Sequence, residues 1–215
     1  MPHRGATSGF SIIELLATLA IILVLAAAGM AAWHAAMLQA DRADALAKIR
    51  TMGTAVLQYT HDHGGTLPPL FPGQVLEYEA GRGGRIVTEC APYLGVEATP
   101  GKHLVAALMP RAYARVESSD PAAKRVCVMN TSITNNLGTI APFGSVVVGG
   151  QPPIGPVPLV QLGDQTGLWM MSTADQQHPN VATAPWKNNT PPDPPLQDMR
   201  AVFHFDGSAV LEKTR

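Results

Sequence analysis

The triplet His61, Asp62 and His63 carries side chains of the types that bind metals. In a helix, residues i and i+2 point in different directions, so the two histidines could ligate one ion only if the helix had already ended. The alternative interpretation is a polar helix end, because histidine favours the negative end of the helix dipole. That interpretation needs no ligand, and we expect no metal centre here.

Three further histidines occur singly in the chain, at His103, His178 and His204. In a strand, alternate side chains point to opposite faces, which places His204 opposite to Phe203 and Phe205. We therefore expect these histidines to have surface positions.

Motifs for nucleophilic catalysis and nucleotide binding are lacking. The chain has no G-x-S-x-G sequence. Gly101-Lys102 resembles a phosphate-binding loop only superficially, because Gly95 lies one position too far upstream and His103 replaces the magnesium-binding Ser or Thr. Asp206-Gly207 could contribute to a calcium site, but the nearby acids lack a recognisable ligand spacing. We expect neither a cofactor nor catalysis.

The chain has two cysteines, Cys90 and Cys127. Outside the cytoplasm a disulfide between them is permitted, and it would stabilise the fold by about 3–4 kcal/mol in the entropic description. The alternative is two buried thiols. The sequence does not decide between them, because it does not give the distance between the two Cα atoms.

Charge does not indicate a charged macromolecular partner. The 215 residues include 15 basic and 16 acidic side chains, a formal net charge of −1. A nucleic-acid-binding domain would show a basic surface, and none is evident. We therefore expect no nucleic acid among the partners.

An apolar segment without Asp, Glu, Lys or Arg runs from Leu15 to Leu38. As a helix its 24 residues would extend about 36 Å, enough for a bilayer core of about 30 Å. Arg4 and the free amine precede it, so the positive-inside rule predicts a cytoplasmic N-terminus. Everything after about residue 40 would then lie outside the cytoplasm, as the extracytoplasmic head of a single-pass membrane chain.

The sequence Gly9-Phe10-Ser11-Ile12-Ile13-Glu14-Leu15-Leu16 leads into this segment. A short polar leader that ends in Gly, followed by Phe, a Glu four residues later and a long apolar helix, resembles the processing site of type IV prepilins and type II secretion pseudopilins. The resemblance implies that a prepilin peptidase cuts between Gly9 and Phe10 and methylates the amine of Phe10. Two alternatives remain: a signal peptide cut after Ala28, and an uncut signal anchor.

Glu14 directly precedes this apolar segment, inside the stretch 10–38 that is predicted to form the membrane helix. A carboxylate at the centre of a membrane helix costs about 2.5–3.5 kcal/mol on insertion scales, which favours a functional role with a cationic partner. Cleavage would make Phe10 a terminal ammonium four residues away, on the same helix face. The resemblance implies that Glu14 meets the amine of a neighbouring subunit during assembly; the alternative is an acid that reaches the membrane interface and has no partner.

The helix is predicted to continue beyond the membrane. Between residues 39 and 63 there is no proline, and apolar or small residues recur at helical spacing: Leu46, Ile49, Gly53, Val56, Leu57 and Thr60. Asp41 and the other charged residues lie mostly elsewhere. Gly64-Gly65 should end the helix, and Pro68-Pro69 reinforces that stop. The predicted organisation is a leader at 1–9, a membrane helix at 10–38, its amphipathic continuation at 39–63 and a β-rich head at 64–215.

The head is predicted to contain short strands at 85–88, 125–129, 145–148 and 167–171, a helix at 102–115 broken at Pro110, and a surface loop at 183–197. Residues 201–210 read as a hairpin with an Asp206-Gly207 turn. This hairpin resembles the end of a family of prepilin-processed proteins marked by His, nine residues and Asp-Gly. Leu196 occupies the histidine position, so the match is partial and that histidine's role cannot be transferred.

The predicted fold class is α+β, a pilin-like lollipop with one long N-terminal helix and a small β-rich head. The predicted function is that of a structural subunit, not an enzyme, in a type II secretion or type IV pilus-like filament. Its partners would be the prepilin peptidase, other pilin-like subunits and the membrane. Two alternatives are a membrane-anchored extracytoplasmic enzyme and a surface-binding module, such as a minor pilin that recognises glycan or protein.

Overall fold

The computed structural model describes residues 11–135, 138–144 and 154–214. The chain forms two compact units, one that ends at Ala40 and one that begins at Asp41. The proposed processing residues Gly9 and Phe10 lie outside the described residues, as does the predicted strand at 145–148.

One helix, α1, runs from Ile12 to Asp62 over 51 residues, as the sequence predicts. Its interior contains no proline, and its glycines are single, so nothing in the sequence interrupts the i to i−4 hydrogen bonds. It ends at Asp62, just before Gly64 and Gly65, whose positive φ angles of 65° and 85° suit glycine and stop a helix.

The second part of α1 packs into the head through the predicted face. Ile49, Val56 and Thr60 are buried, each at most 2% exposed, together with Met52. Asp41 departs from the expectation of an exposed charged face, since it is buried and forms an ion pair with Arg115. A carboxylate can be buried at this position because a guanidinium accompanies it.

The head contains a five-stranded antiparallel sheet. Its strands follow the spatial order β1 (Gly73–Val75), β4 (Arg125–Met129), β7 (Trp169–Thr173), β8 (Met199–His204) and β9 (Ala209–Lys213). Two small two-stranded antiparallel sheets also form: β2 (Glu77–Glu79) pairs with β3 (Lys102–Leu104), and β5 (Ile133–Asn135) pairs with β6 (Gly138–Ile140).

Short helices connect these strands: α2 (Ile86–Glu89), α3 (Ala91–Leu94), α4 (Arg111–Ser119) and α5 (Pro179–Ala182). Three 3₁₀ turns lie at Ala106–Leu108, Leu159–Leu162 and Lys187–Asn189. The chain is therefore an α+β protein in which a long, apolar N-terminal helix precedes a domain rich in antiparallel sheet.

Several local predictions are corrected. The strand at 125–129 is confirmed, and the one at 167–171 begins two residues later than expected. The prediction of a strand at 85–88 is wrong, because residues 86–89 form α2. A run of four residues is too short for its hydrophobic period to distinguish a helical turn from a strand. At 102–115 the expected helix exists only after Pro110, as α4, whereas Lys102–Leu104 is a strand.

The C-terminal hairpin forms as predicted. Phe203 pairs with Ala209 and Val202 with Val210, and Gly207 has a φ of 85° in the turn between the strands. The preceding loop is not wholly at the surface, because Thr190 and Leu196 are buried at 0% and 1% exposure. Leu196 belongs to the main hydrophobic core. It is the residue that stands at the histidine position of the His, nine residues and Asp-Gly pattern.

The main core lies between α1 and the sheet. Phe203 of β8 packs directly on the backbone of α1 at Gly53, where an added Cβ would overlap the aromatic ring. Only a residue without a side chain allows this close approach of ring and helix. The sheet's other side carries a smaller cluster of Val128, Ala174 and Val181, with Trp186 packed against it.

Candidate functional site

The N-terminal unit presents its apolar side chains outward. Large hydrophobic residues along α1 are at least 40% exposed: Ile12, Ile13, Leu15, Leu16, Leu19, Ile21, Ile22, Leu23, Val24, Leu25, Met30, Trp33 and Met37. The mean hydropathy of its most apolar 18-residue window is 2.5, and α1 is long and apolar enough to cross a membrane. Such exposed apolar side chains make this segment a candidate membrane span.

Ser11 and Glu14 close the first turn of α1. A carboxylate oxygen of Glu14, Oε2, accepts a hydrogen bond from the backbone N–H of Ser11 at 2.9 Å. The Ser11 hydroxyl oxygen accepts one from the N–H of Ile13 at 3.3 Å. This is the pattern of a capping box, in which a Ser and a Glu three residues apart satisfy free N–H groups at a helix start. The S-x-x-E spacing could have revealed this role, and our sequence argument missed it.

Charged residues near the start of the head hold α1 in place. Arg42 donates from Nη2 to Oδ1 of Asp198 at 2.6 Å. Lys48 Nζ donates to the carbonyl of Ala107 at 2.6 Å. Asp44 accepts a hydrogen bond from the backbone N–H of Arg111 at 2.8 Å. These contacts and the Asp41–Arg115 pair join residues 41–48 of α1 to three separate parts of the head.

The His61-Asp62-His63 triplet is engaged in local contacts. The Asp62 carboxylate lies 3.1 Å from His61 Nδ1 and accepts a hydrogen bond from the Tyr93 hydroxyl at 2.9 Å, and these contacts lower the pKa of Asp62. The His63 ring stacks on Tyr59 with centroids 3.7 Å apart. Helix α1 ends at Asp62, so the triplet lies at a helix end. Within the described ranges there is no group of three or more His, Cys, Asp or Glu side chains that could hold a metal.

The two cysteines are not joined. Cys90 and Cys127 are free and buried in the structure, so the disulfide considered above is absent and the two-thiol alternative holds there. Cys90 follows α2, while Cys127 lies within β4, and both belong to the main core. Burial raises the pKa of each thiol to about 12, which makes them weak nucleophiles at neutral pH.

His204 and His178 are buried, contrary to the surface positions expected from the sequence. His204 is 6% exposed; its Nε2 lies 3.4 Å from Glu212 Oε1 and its Nδ1 lies 3.2 Å from Ser208 Oγ. His178 is 7% exposed, and its Nδ1 accepts a hydrogen bond from the backbone N–H of Asn180. Strand alternation gives the side of the sheet but not what covers it, and here a second layer covers that side.

The buried Asp175–Arg200 pair lies beside His178. Asp175 is 0% exposed, and its two carboxylate oxygens accept hydrogen bonds from Nε and Nη2 of Arg200 at 2.7 and 2.8 Å. Burial, together with the charge of Arg200, lowers the pKa of His178 to about 4. A neutral histidine and a fully paired carboxylate at this position indicate a structural arrangement that fixes the loop after β7.

Comparisons of the chain with protein families, with curated proteins and with solved structures found no match. Its function must therefore be inferred from its own residues. The features with the clearest chemical meaning are the outward-facing apolar helix, the carboxylate of Glu14 at its start, and the charged contacts that hold the continuation of that helix in the head.

Proposed function

We propose that this protein is a pilin-like structural subunit, processed by a prepilin peptidase and assembled through its N-terminal helix into a type II secretion or type IV pilus-like filament. The proposal assigns no catalysis to the chain. Its partners are the peptidase, other pilin-like subunits and the membrane.

One observation carries the proposal. The Gly9-Phe10 processing sequence with Glu14 is followed by a single helix, Ile12–Asp62, whose first part is apolar and exposed and whose last part is buried in a folded head. A signal peptide needs only a short apolar segment and a cleavage site, and nothing requires its helix to continue into the domain it exports. A filament subunit needs that continuity, because its helix must transmit packing forces to the head.

Glu14 supports the proposal through its charge. In the full-length chain its carboxylate accepts the N–H of Ser11, which offsets part of the cost of an acid in an apolar segment. Cleavage after Gly9 would add an ammonium at Phe10, and a neighbouring subunit would add a second one within the same apolar surroundings. An ion pair in such surroundings is stronger than in water, so the charge of Glu14 can select the register between neighbouring helices.

The exposed apolar side chains provide the energy for packing. Before assembly, lipid covers them; in the proposed filament, neighbouring copies of α1 replace the lipid. Helix association in lipid depends on close packing, and small residues favour it. The stretch 26–32 contains Ala26, Ala27, Ala28 and Gly29, a run of small side chains that would allow two helices to approach closely.

The proposed placement follows from the same features. Arg4 precedes the apolar segment, so we place the N-terminus in the cytoplasm, the segment in the inner membrane and the head in the periplasm or outside the cell. The peptidase would then act at the cytoplasmic face, where Gly9 and Phe10 lie.

Chemical crosslinking in cells with and without the peptidase tests this function. We expect a ladder of crosslinked multimers only when the peptidase is present, because cleavage creates the ammonium that assembly requires. The Gly9→Val variant serves as the matched control, since it should insert normally and remain uncut. A ladder that forms equally without the peptidase, or a head released from the membrane, would contradict the proposal.

A further inference from the structure

A cleft of about 300 Å³ lies beside β1, on the head. Three arginines line it, Arg82, Arg85 and Arg125, together with the aromatic rings of Phe71 and Trp186. We call it the arginine cleft. Its volume is at the lower end of the range for small-molecule sites, about 300–1,000 Å³, and fits a group the size of one sugar ring.

Positive charge exceeds negative charge around the arginine cleft. Glu77 is shared by two cations, since its Oε2 lies 2.9 Å from Lys102 Nζ and 3.5 Å from Arg85 Nη1. Glu79 is shared in the same way, by Arg85 at 3.3 Å and Arg82 at 3.5 Å. The next carboxylate, Glu89, accepts a hydrogen bond from the backbone N–H of Gly84.

Arg125 is the cation without a countercharge. Among the described residues it has no carboxylate partner; its Nη1 donates to the carbonyl of Gly73, and its Nε is buried without an acceptor. Its guanidinium lies 4.9 Å from the centre of the Trp186 ring. Burial lowers the pKa of Arg125, and the nearby charge of Arg85 lowers it further. An anion in the cleft would supply the missing charge.

The aromatic walls of the cleft are held against backbone. A Cβ added at Gly73 would come within 2.9 Å of Trp186 Cη2, and one added at Gly84 would overlap the ring of Phe71. Both rings therefore lie directly on glycine backbone, where no side chain intervenes. This packing fixes two apolar surfaces next to the guanidinium groups.

The backbone near the cleft leaves little for a peptide strand to pair with. The Gly73 carbonyl accepts from Arg125, and the Gly84 carbonyl accepts from both Phe71 N–H and Gln74 Nε2. The Gln74 side chain also accepts the N–H of Ile86. A peptide that added a strand here would need these groups free, so the chemistry favours a ligand that uses side chains and ring faces.

We propose that the arginine cleft binds the carboxylate of an acidic sugar, such as a uronic acid residue of a polysaccharide. The planar guanidinium of Arg125, which has no carboxylate partner among the described residues, pairs with the carboxylate of the sugar. The C–H face of the sugar ring packs on Trp186 or Phe71, which buries apolar area on both partners. The site is independent of the filament, so the two proposals can fail separately.

Isothermal titration calorimetry on the full-length protein in a sugar-free, non-ionic detergent tests the site, with glucuronate, glucose, inorganic phosphate and a short acidic peptide as probes. We expect glucuronate to bind at least about tenfold more tightly than glucose, since a hydrogen-bonded charge pair contributes about 1.5–3 kcal/mol. Raising the salt concentration should weaken the binding of glucuronate.

Substitutions locate the site. Arg125→Gln should lower glucuronate affinity by about tenfold or more, and Arg111→Gln, an exposed arginine on α4, should leave it unchanged. If Arg125→Gln unfolds the head, Arg82→Gln takes its place, because that side chain is 57% exposed and can be replaced without disturbing the core.

Equal binding of glucose and glucuronate, no binding of glucuronate, or wild-type affinity in both cleft variants would overturn the site. Tighter binding of phosphate or of a short acidic peptide would overturn the assignment to an acidic sugar.

Discussion

The carboxylate of Glu14 accepts a hydrogen bond from the backbone N–H of Ser11, three residues earlier in the same helix, at 2.9 Å. The acid in the apolar segment therefore has a partner within its own chain. The proposed role of Glu14 in assembly must be separated from its role in helix capping. The two roles differ in what they require, because capping needs an acceptor oxygen and ion pairing needs a negative charge.

Two substitutions at Glu14 make that separation. Glu14→Gln keeps an oxygen acceptor for the N–H of Ser11, as capping boxes use Glu or Gln, but removes the charge. Glu14→Ala removes both. If the charge meets an ammonium during assembly, both variants should reduce the multimer ladder by a similar large factor at matched membrane levels. If capping alone matters, Glu14→Gln should assemble like wild type, and the ion-pair role would be wrong.

Gly53 should be irreplaceable within α1. Alanine is the better helix former by about 1 kcal/mol, so helix propensity alone predicts that Gly53→Ala stabilises the protein. The added methyl group would instead overlap the Phe203 ring, and overpacking of a core costs about 1–3 kcal/mol. We expect the head of the Gly53→Ala variant to unfold at a lower urea midpoint than the wild-type head does. Gly29→Ala is the control, since nothing lies within 4 Å of its added Cβ, and it should leave the midpoint unchanged.

His178 should make the head less stable in mild acid. Its pKa in the folded chain is about 4, below the ordinary 6.5, so between these values the unfolded state binds a proton that the folded state does not. Stability should therefore be full above pH 6.5 and fall as the pH decreases towards 4, by at most about 3 kcal/mol. His178→Asn keeps an acceptor for the N–H of Asn180 and should flatten this dependence.

Thermal unfolding midpoints between pH 7.5 and pH 4 measure the effect. The control variant is His61→Asn, which also removes one imidazole but at an exposed position. If His178→Asn loses stability in acid as steeply as wild type does, His178 does not cause the pH dependence.

Cys90 and Cys127 should behave as two protected thiols. Burial and a pKa of about 12 leave almost no thiolate at pH 8, so iodoacetamide should label the folded protein slowly. In urea, without any reductant, both cysteines should be labelled quickly. Mass spectrometry counts the labels, and protein that accepts them only after reduction would show that a disulfide forms after all.

The features that the sequence predicts well are those set by local pattern. The long helix follows from an apolar run of membrane-spanning length and a proline-free helical period that stops before Gly64. The last hairpin follows from Asp206-Gly207 between two alternating strands. The strand Arg125–Met129 is a run of mostly β-forming residues, and it was assigned to its correct bounds. Such features need no knowledge of distant contacts.

The features that the sequence does not predict depend on contacts between distant segments. His178 is buried because the loop after β7 packs against the second side of the sheet, which no local pattern indicates. Arg125 and Trp186 meet across 61 residues of chain, so the arginine cleft has no signature in sequence. The Ser11–Glu14 cap could have been predicted from the sequence, since its three-residue spacing is a known helix-start pattern.

The central claim concerns what remains of the N-terminus in the mature protein. The most direct test is intact-mass and N-terminal peptide analysis of the protein. The protein is extracted for it from membranes of cells that contain a prepilin peptidase. We predict a chain that begins with N-methyl-Phe10 and retains α1, and a Gly9→Val variant that keeps its leader. A mature chain that still begins at Met1, or one that begins at Gly29, would contradict the account.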